Sequence, residues 1–393
     1  MKPLRIAYVT DERYPSPHTD CQQVIKTVDA LGSLGCEVHL IQPRMAAHLF
    51  KSRDQIKAAI CKAFNVEGHF EVRDILHIPA SNLRIEKVPH ALLGPLKARF
   101  GHYDVVHTRN LLALAIGAVM GLPMMYENYK AMPLTTPTAW KQARRALSRP
   151  NVLGLVTHSY YAEKIMAAEV DDPESIIGIP NGYDPKDFST FPDKEEARRD
   201  IGLPDRPAVA AYTGHIRPDK GISSLLNLAE DSPDVTFLIV GGTETEVTTL
   251  SQDVAKRGLS NVSLKSRVDV AKVPTYLAAA DVLLLPTAAA PLMGSGRSTV
   301  LPMKVFSYLA AGRPILAPDL PDTEGVLTDD VNCIKVPTDN RTAARDALSR
   351  LLSDRDLALR LAHTAAQDAL RFTWKGRAEK LIEFIHKRRA RNG

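Results

Sequence analysis

The chain has 393 residues, more than one ordinary hydrophobic core accommodates, so two domains are expected. An apolar fraction of 45% and a charged fraction of 24% are those of a folded globular protein and exclude a disordered chain. A formal net charge of +5 with 6% aromatic residues gives neither the basic field nor the stacking platform of a nucleic-acid binder, so no nucleic acid is expected.

The N-terminal "MKPLRIAYVT" is too short an apolar run for a secretory signal and reads as a strand, Leu4 to Thr10. A helix-patterned run follows, Gln23 to Gly35, closed by a glycine, and then a second strand, Glu37 to Pro43. That is a βαβ unit, and its right-handed crossover makes the strands parallel. Short buried strands continue at Tyr103 to Arg109, Met124 to Asn128 and Val152 to Ser159. The longest apolar stretch, Leu111 to Tyr126, falls short of a membrane span and is broken at Gly121-Leu122-Pro123, so it reads as helix, turn and strand. Cys21, Cys36, Cys61 and Cys333 are scattered without metal-ligand spacing, which predicts free thiols and a cytoplasmic location.

The same grammar returns later. Strands are expected after Ala208, at Val235 to Gly242, Asn261 to Ser266, Asp281 to Thr287, Arg313 to Asp319 and Cys333 to Pro337, with a helix at Ile222 to Glu230. Between the halves, 189–206 is charged, proline-containing and without strand character, and reads as a linker. The expected fold class is α/β: two Rossmann-like, doubly wound domains, 1–188 and 207–370, facing across a cleft. Ligands of such sheets bind beyond the carboxyl ends of the strands.

One strand-end loop is "YTGHIRPDKGI", Tyr212 to Ile222. Arg217 and Lys220 next to a helix N-terminus make an anion site, Gly214 lets backbone approach a ligand, and Pro218 stiffens the turn. A guanidinium grips phosphate with a fork of donors and an ammonium acts as a point charge. Each cation about 4 Å from a phosphate gains on the order of 4 kcal/mol at an effective dielectric near 20, before desolvation. The alternative is a solvated turn whose cations pair with Asp219 or Asp200. A second loop, Thr287 to Asp319, has a glycine-rich lead-in (Gly294, Gly296), a helix starting near Pro302 and a stop at Gly312. Backbone donors at Ser298, Thr299, Val300 and Leu301 are thereby aimed at the same cleft.

In these loops the chain resembles the retaining glycosyltransferases of family 4 (glycosyl transferases group 1), which have the two-domain GT-B fold. The resemblance covers nearly the whole chain and is carried by "YTGHIRPDKGI", "ADVLLLPT", "PMKVFSYLAAGRPILA" and "IPNGYDPKDF", in that family's order and spacing. The tail "FTWKGRAEKLIEFI" looks like the family's closing helix, so 371–393 is expected to cross back to the N-terminal domain. Two departures stand out. Where the family has "F-E-Y-L-A-A-G", this chain has Phe306-Ser307-Tyr308, and the acid eight residues earlier is Thr299. Ser307 can still hydrogen-bond a ribose hydroxyl, through a neutral bond about half as strong as a carboxylate's. The histidine often found after the family's "Y-E" pair is replaced too, in Tyr126-Glu127-Asn128-Tyr129.

The resemblance implies a sugar moved from a nucleotide diphosphate sugar, of UDP or GDP type, to a hydroxyl acceptor with retention. It places the product in glycan, glycolipid or cell-surface polysaccharide synthesis. Arg217 and Lys220 are then catalytic, stabilising the departing diphosphate. Gly214, Arg267, Val268, Ser298, Thr299, Val300, Leu301 and Ser307 bind the nucleotide sugar. His18, Arg109, Glu127 and Asn181 line the cleft or face the acceptor, with capping at His18 and mutual pairing of Arg109 and Glu127 left open. No cofactor and no metal are expected, because the D-x-D at Asp354-Arg355-Asp356 reads as charge at a helix start. A non-catalytic nucleotide-sugar binding subunit and a sugar-nucleotide epimerase or phosphorylase are the rival readings. The acceptor is a sugar, lipid-linked or small-molecule hydroxyl. Two basic runs, Lys141 to Pro150 and His386 to Gly393, leave peripheral contact with the inner membrane face open.

Overall fold

The computed structural model describes residues 2–16, 18–44, 48–77, 86–203, 208–286, 300–338 and 340–392. The chain divides into two compact units, Met1–Asn181 with Trp374–Gly393, and Gly182–Thr373.

The first unit opens with β1 (Arg5–Val9), α1 (Thr19–Ser33), β2 (Glu37–Ile41), β3 (Pro43–Arg44), α2 (Arg53–Phe64), β4 (Glu71–Val72) and β5 (Ile75–Leu76). It continues with α3 (Lys87–Arg99), β6 (Val105–Thr108), α4 (Leu111–Val119), β7 (Met124–Asn128), α5 (Met132–Thr135), α6 (Pro137–Leu147), β8 (Val152–Thr157), α7 (Tyr160–Ala167) and β9 (Ile176–Gly178). Its main sheet is parallel in the order β4-β2-β1-β6-β7-β8-β9, with Ile6 opposite Val38 on one side and Val105 on the other. β3 and β5 pair separately. The strands are near-continuous apolar runs because a parallel sheet is covered on both faces; all six residues of β8 are buried. Gly154 in β8 is required by packing. A Cβ there would press on the Phe384 ring and the Ser175 carbonyl.

The second unit contains α8 (Lys194–Asp200), β10 (Ala208–Thr213), α9 (Ile222–Glu230), β11 (Val235–Val240), α10 (Glu244–Lys256), β12 (Val262–Lys265) and α11 (Val273–Ala278). It ends with β13 (Val282–Leu284), α12 (Lys304–Ala310), β14 (Ile315–Pro318), β15 (Ile334–Val336), α13 (Arg341–Ser353) and α14 (Arg355–Ala369). The sheet order is β12-β11-β10-β13-β14-β15, again parallel. Both sheets turn back at the first strand of their unit, so the carboxyl ends of β1 and β10 lie at topological switch points.

Two expectations change, the linker and the start of the helix near Pro302. The stretch 189–206 is helical over Lys194–Asp200: Lys194 and Arg198, one turn apart, both reach Asp281 (2.8 and 2.6 Å), and Ala197 is buried against Ala278 and Ala279. It belongs to the second unit, the Asp281 carboxylate organising the charges that read as linker. The helix expected near Pro302 begins at Lys304. The tail forms α15 (Trp374–Asn392) in the first unit, where it packs on α1 and β8. Its basic run is consumed there: Arg388 and Arg391 engage Asp172, Lys387 engages Glu174, and Arg389 engages Asp104.

Candidate functional site

In the second unit, β10 delivers its end residues to a tightly held turn. Thr213 donates its amide to the Tyr308 hydroxyl of α12 (2.8 Å), and the Tyr212 hydroxyl donates to the His215 carbonyl (2.8 Å). Gly214 (φ +151°) bonds the Val240 carbonyl, and Gly241 (φ +138°) passes directly over Gly214. Side chains are excluded at both places. A Cβ on Gly241 would overlap the Gly214 carbonyl, and one on Gly214 would strike the Lys304 ammonium.

Arg217, Lys220, Arg267 and Lys304 surround this turn closely enough that all four act on His215. Burial first, and then those cations, hold its imidazole below the usual histidine range. Arg217 and Lys220 are half-exposed and share one carboxylate, Asp219, at 3.2 Å each. Burial works to raise the Asp219 carboxyl, but hydrogen bonds and charge from Lys220 and Arg217 outweigh it and keep it below the carboxylate range. The turn thus has the ion pairs of the solvated-turn alternative, on Asp219, together with a surplus of cations. The other nearby acid, Glu246, accepts from the Thr243 amide (2.7 Å) in a capping box.

Lys304 was absent from the sequence expectations. It starts α12, and its ammonium lies 3.6 Å from the centre of the Tyr212 ring. Among the described residues it has no ion-pair partner. Burial, then the charge of Lys220, pull it well below the usual lysine range. The available signal was a lysine at the head of the apolar run "KVFSYLA", where the missing acid at Ser307 drew attention instead. Ser307 is half-buried three residues along the same helix, Val300 is half-buried and Leu301 is buried. Ser298 and Thr299 lie outside the described residues. Arg267 follows β12 with its side chain exposed and its amide on the Gly242 carbonyl (3.0 Å); Val268 beside it is half-buried.

In the first unit a cavity of about 430 Å³ opens past the ends of β1, β6 and β7, lined among others by Asp11, Glu12, Lys87, Arg109, Tyr129 and Lys130. Lys87 neutralises Asp11 and Glu12 (3.3 and 3.2 Å). Arg109 donates to Gln23 (3.0 Å) and to the Asp20 carbonyl (3.3 Å), and both Arg109 and Lys130 approach the Tyr129 ring. His18 is exposed at the start of α1, and its side chain makes no capping bond. Asn181 is buried.

Glu127 requires a correction. It neither lines this cavity nor pairs with Arg109. The carboxylate is fully buried and accepts from Tyr8 (2.6 Å), Gln23 (2.8 Å), His158 (2.8 Å) and Arg377 of α15 (2.5 Å), with His107 Nε2 at 3.2 Å. Gln23 links it to Arg109 by holding one of them with each end of its amide. Burial pushes the Glu127 carboxyl up, but hydrogen bonds from His107 and His158 and the charge of Arg377 reverse the balance and hold it well below the carboxylate range. An unpaired acid there would be too costly, and Arg377 also reaches the Ile179 and Pro180 carbonyls.

Residues 193–368 match the family model described as glycosyl transferases group 1. A D-inositol 3-phosphate glycosyltransferase of Actinosynnema mirum is 25% identical over 354 residues, covering 79% of this chain and 81% of that protein. Sucrose-phosphate synthase from Thermosynechococcus elongatus matches with a TM-score of 0.76 at 18% identity, over 99% of this chain and 100% of that one. Anabaena HepE in complex with UDP and glucose matches with a TM-score of 0.75 at 18% identity, over 98% and 100%.

Proposed function

We propose that this chain, a glycosyltransferase with the GT-B fold and a glycosyl transferases group 1 domain, moves a sugar from a nucleoside diphosphate sugar to a hydroxyl acceptor with retention of configuration. The observation that carries the reading is the cluster of Arg217, Lys220, Arg267 and Lys304 about His215 at the end of β10, with Asp219 held between two of them. What must be stabilised as the glycosidic bond to the donor breaks is the negative charge growing on the departing diphosphate. Cations already placed by the turn, two of them held by Asp219, do this with little reorganisation. The Anabaena neighbour holds UDP and glucose, which favours a UDP-sugar as donor here, with GDP-sugars as the other class.

No metal or other cofactor enters this reading, since the cations themselves take the diphosphate charge. No protein base is assigned either; the leaving diphosphate takes the acceptor proton. The first unit's cavity, with Arg109, Tyr129 and Lys130, holds the acceptor, a sugar, lipid-linked or small-molecule hydroxyl compound in glycan, glycolipid or polysaccharide synthesis. Ser307 favours a second reading, a nucleotide-sugar binding subunit without turnover, because a neutral hydroxyl stands where the resemblance leads one to expect a ribose-binding acid. Incubation with a donor labelled at the anomeric carbon separates the two. Formation of a glycoside or free sugar, lost in Lys220→Ala, supports transfer, and the anomeric coupling of the product reads retention. An intact donor with every acceptor tried supports the binding subunit.

A further inference from the structure

The first unit carries a helical layer that is built inside out. α4 packs between α3 and α6. In α3 the buried positions are His90, Ala91, Gly94, Pro95 and Ala98, while the large apolar residues point outward: Val88 is 66% exposed, Leu92 50%, Leu96 40% and the capping Phe100 77%. These four recur every fourth residue and form one ridge. α4 repeats the inversion, burying Ala113, Gly117 and Ala118 beside Leu114 and exposing Leu112 and Val119. Leu76 of β5, which contacts α3, adds to the same apolar face. A patch of this kind on a folded chain marks an interaction surface.

Charge identifies what covers it. α3, α4 and α6 contain no aspartate or glutamate. α6 buries Trp140, Ala143 and Ala146 and presents Lys141, Arg144 and Arg145 to solvent, with Arg149 just beyond and Arg99 at the end of α3. None of these five cations has a carboxylate partner among the described residues. The acid beside α6, Glu169, is taken by the Trp140 indole N–H (2.5 Å). The basic tail of α15, by contrast, is spent on Asp104, Asp172 and Glu174. A second copy of the chain would bring like charges together in a symmetric contact. We infer that the α3–α4–α6 face docks on an anionic lipid bilayer, the Val88–Phe100 ridge entering the interface while Lys141, Arg144, Arg145 and Arg149 meet lipid phosphates. Among the described residues no helix is long and apolar enough to cross a membrane, so the contact is a surface one.

Co-sedimentation of the full chain with vesicles tests this, comparing phosphatidylcholine alone with phosphatidylcholine containing phosphatidylglycerol. The wild type is expected to pellet with the anionic vesicles and to be released by salt. Arg144→Gln, Arg145→Gln and Arg149→Gln together should lower partitioning on the order of 100-fold. Leu92→Glu with Phe100→Glu should abolish it, with the thermal unfolding midpoint of each exposed-site variant retained. Equal pelleting with both vesicles, or partitioning that either set of substitutions leaves unchanged, overturns the proposal. So does a dimer in light scattering that both sets dissolve in a chain that ignores vesicles. If the glutamate pair fails to fold, the arginine set still decides the matter.

Discussion

The Lys304 ammonium sits 3.6 Å from the centre of the Tyr212 ring, with a lysine, Lys220, as its charged neighbour and no acid beside it among the described residues. An arrangement that lowers a lysine's affinity for its proton is stabilised when an anion arrives. Diphosphate binding should therefore raise the Lys304 pKa and take up a proton, so affinity falls as pH rises through the range in which Lys304 loses its charge. His215 in the same cluster is a second group that takes up a proton when the anion binds. Titration calorimetry in two buffers of different ionisation heat reads the protons. Lys304→Met should reduce the number of protons taken up and weaken nucleoside diphosphate binding about 10- to 100-fold. Identical proton counts in both proteins would remove Lys304 from the site.

Lys220→Ala should lower turnover with the natural donor by a factor on the order of 100. Arg217→Ala also frees Asp219 to draw Lys220 away, so the two losses should not add. A double-mutant cycle on kcat checks this, and strict additivity would mean that Asp219 does not couple the two cations.

Glu127 and Arg377 form a buried pair that joins β7 to α15. Arg377→Met should destabilise the first unit by about 3–5 kcal/mol, and adding Glu127→Gln should recover part of that loss. Urea unfolding followed by tryptophan fluorescence suits the test, since Trp140 and Trp374 both lie in the first unit. A loss near zero for Arg377→Met would show the pair to be dispensable.

Acid should unfold the first unit in a defined window. Burial draws His158 down to about 4 in spite of Glu127, and burial followed by His77 draws His90 down to about 4. In the unfolded chain each titrates near 6.5. Stability from these two groups is full above about pH 6.5 and is lost as pH falls toward 4, at roughly 1.4 kcal/mol per pH unit each. Glu127, held low, adds stability that is present above about pH 4.5 and drains only below it. His158→Asn should therefore flatten the slope between pH 6.5 and 4 by up to about 1.4 kcal/mol per pH unit, the share of one group. An unchanged slope in urea titrations would contradict the assignment.

Much of the fold was readable because parallel strands buried on both faces leave apolar runs, as in "MMYEN" and "VTFLIV", that composition alone marks out. β3, β4, β5 and β9 span only two or three residues, too few for any periodicity. α8 was hidden because the charges that looked solvated close on Asp281, 83 residues from Arg198 in the chain. The site followed the same division. Gly214, Arg217 and Lys220 form one local loop and could be read together. The partner of Glu127 lies 250 residues away, and nothing local distinguishes an acid that lines a cavity from one that anchors a helix. Lys304 meets Tyr212 only through the packing of α12 against the end of β10.

The central claim is that the cations at the end of β10 hold the diphosphate of the donor. A thermal-shift series with UDP-, GDP- and ADP-sugars and the matching nucleoside diphosphates, run on the wild type and on Lys220→Ala, tests it most directly, because a ligand of the folded form raises apparent stability as its concentration exceeds its Kd. The account predicts a rise with one base class, shared by the sugar nucleotide and its diphosphate, that salt weakens and Lys220→Ala removes. No rise with any of them, or the same rise in both proteins, would contradict it.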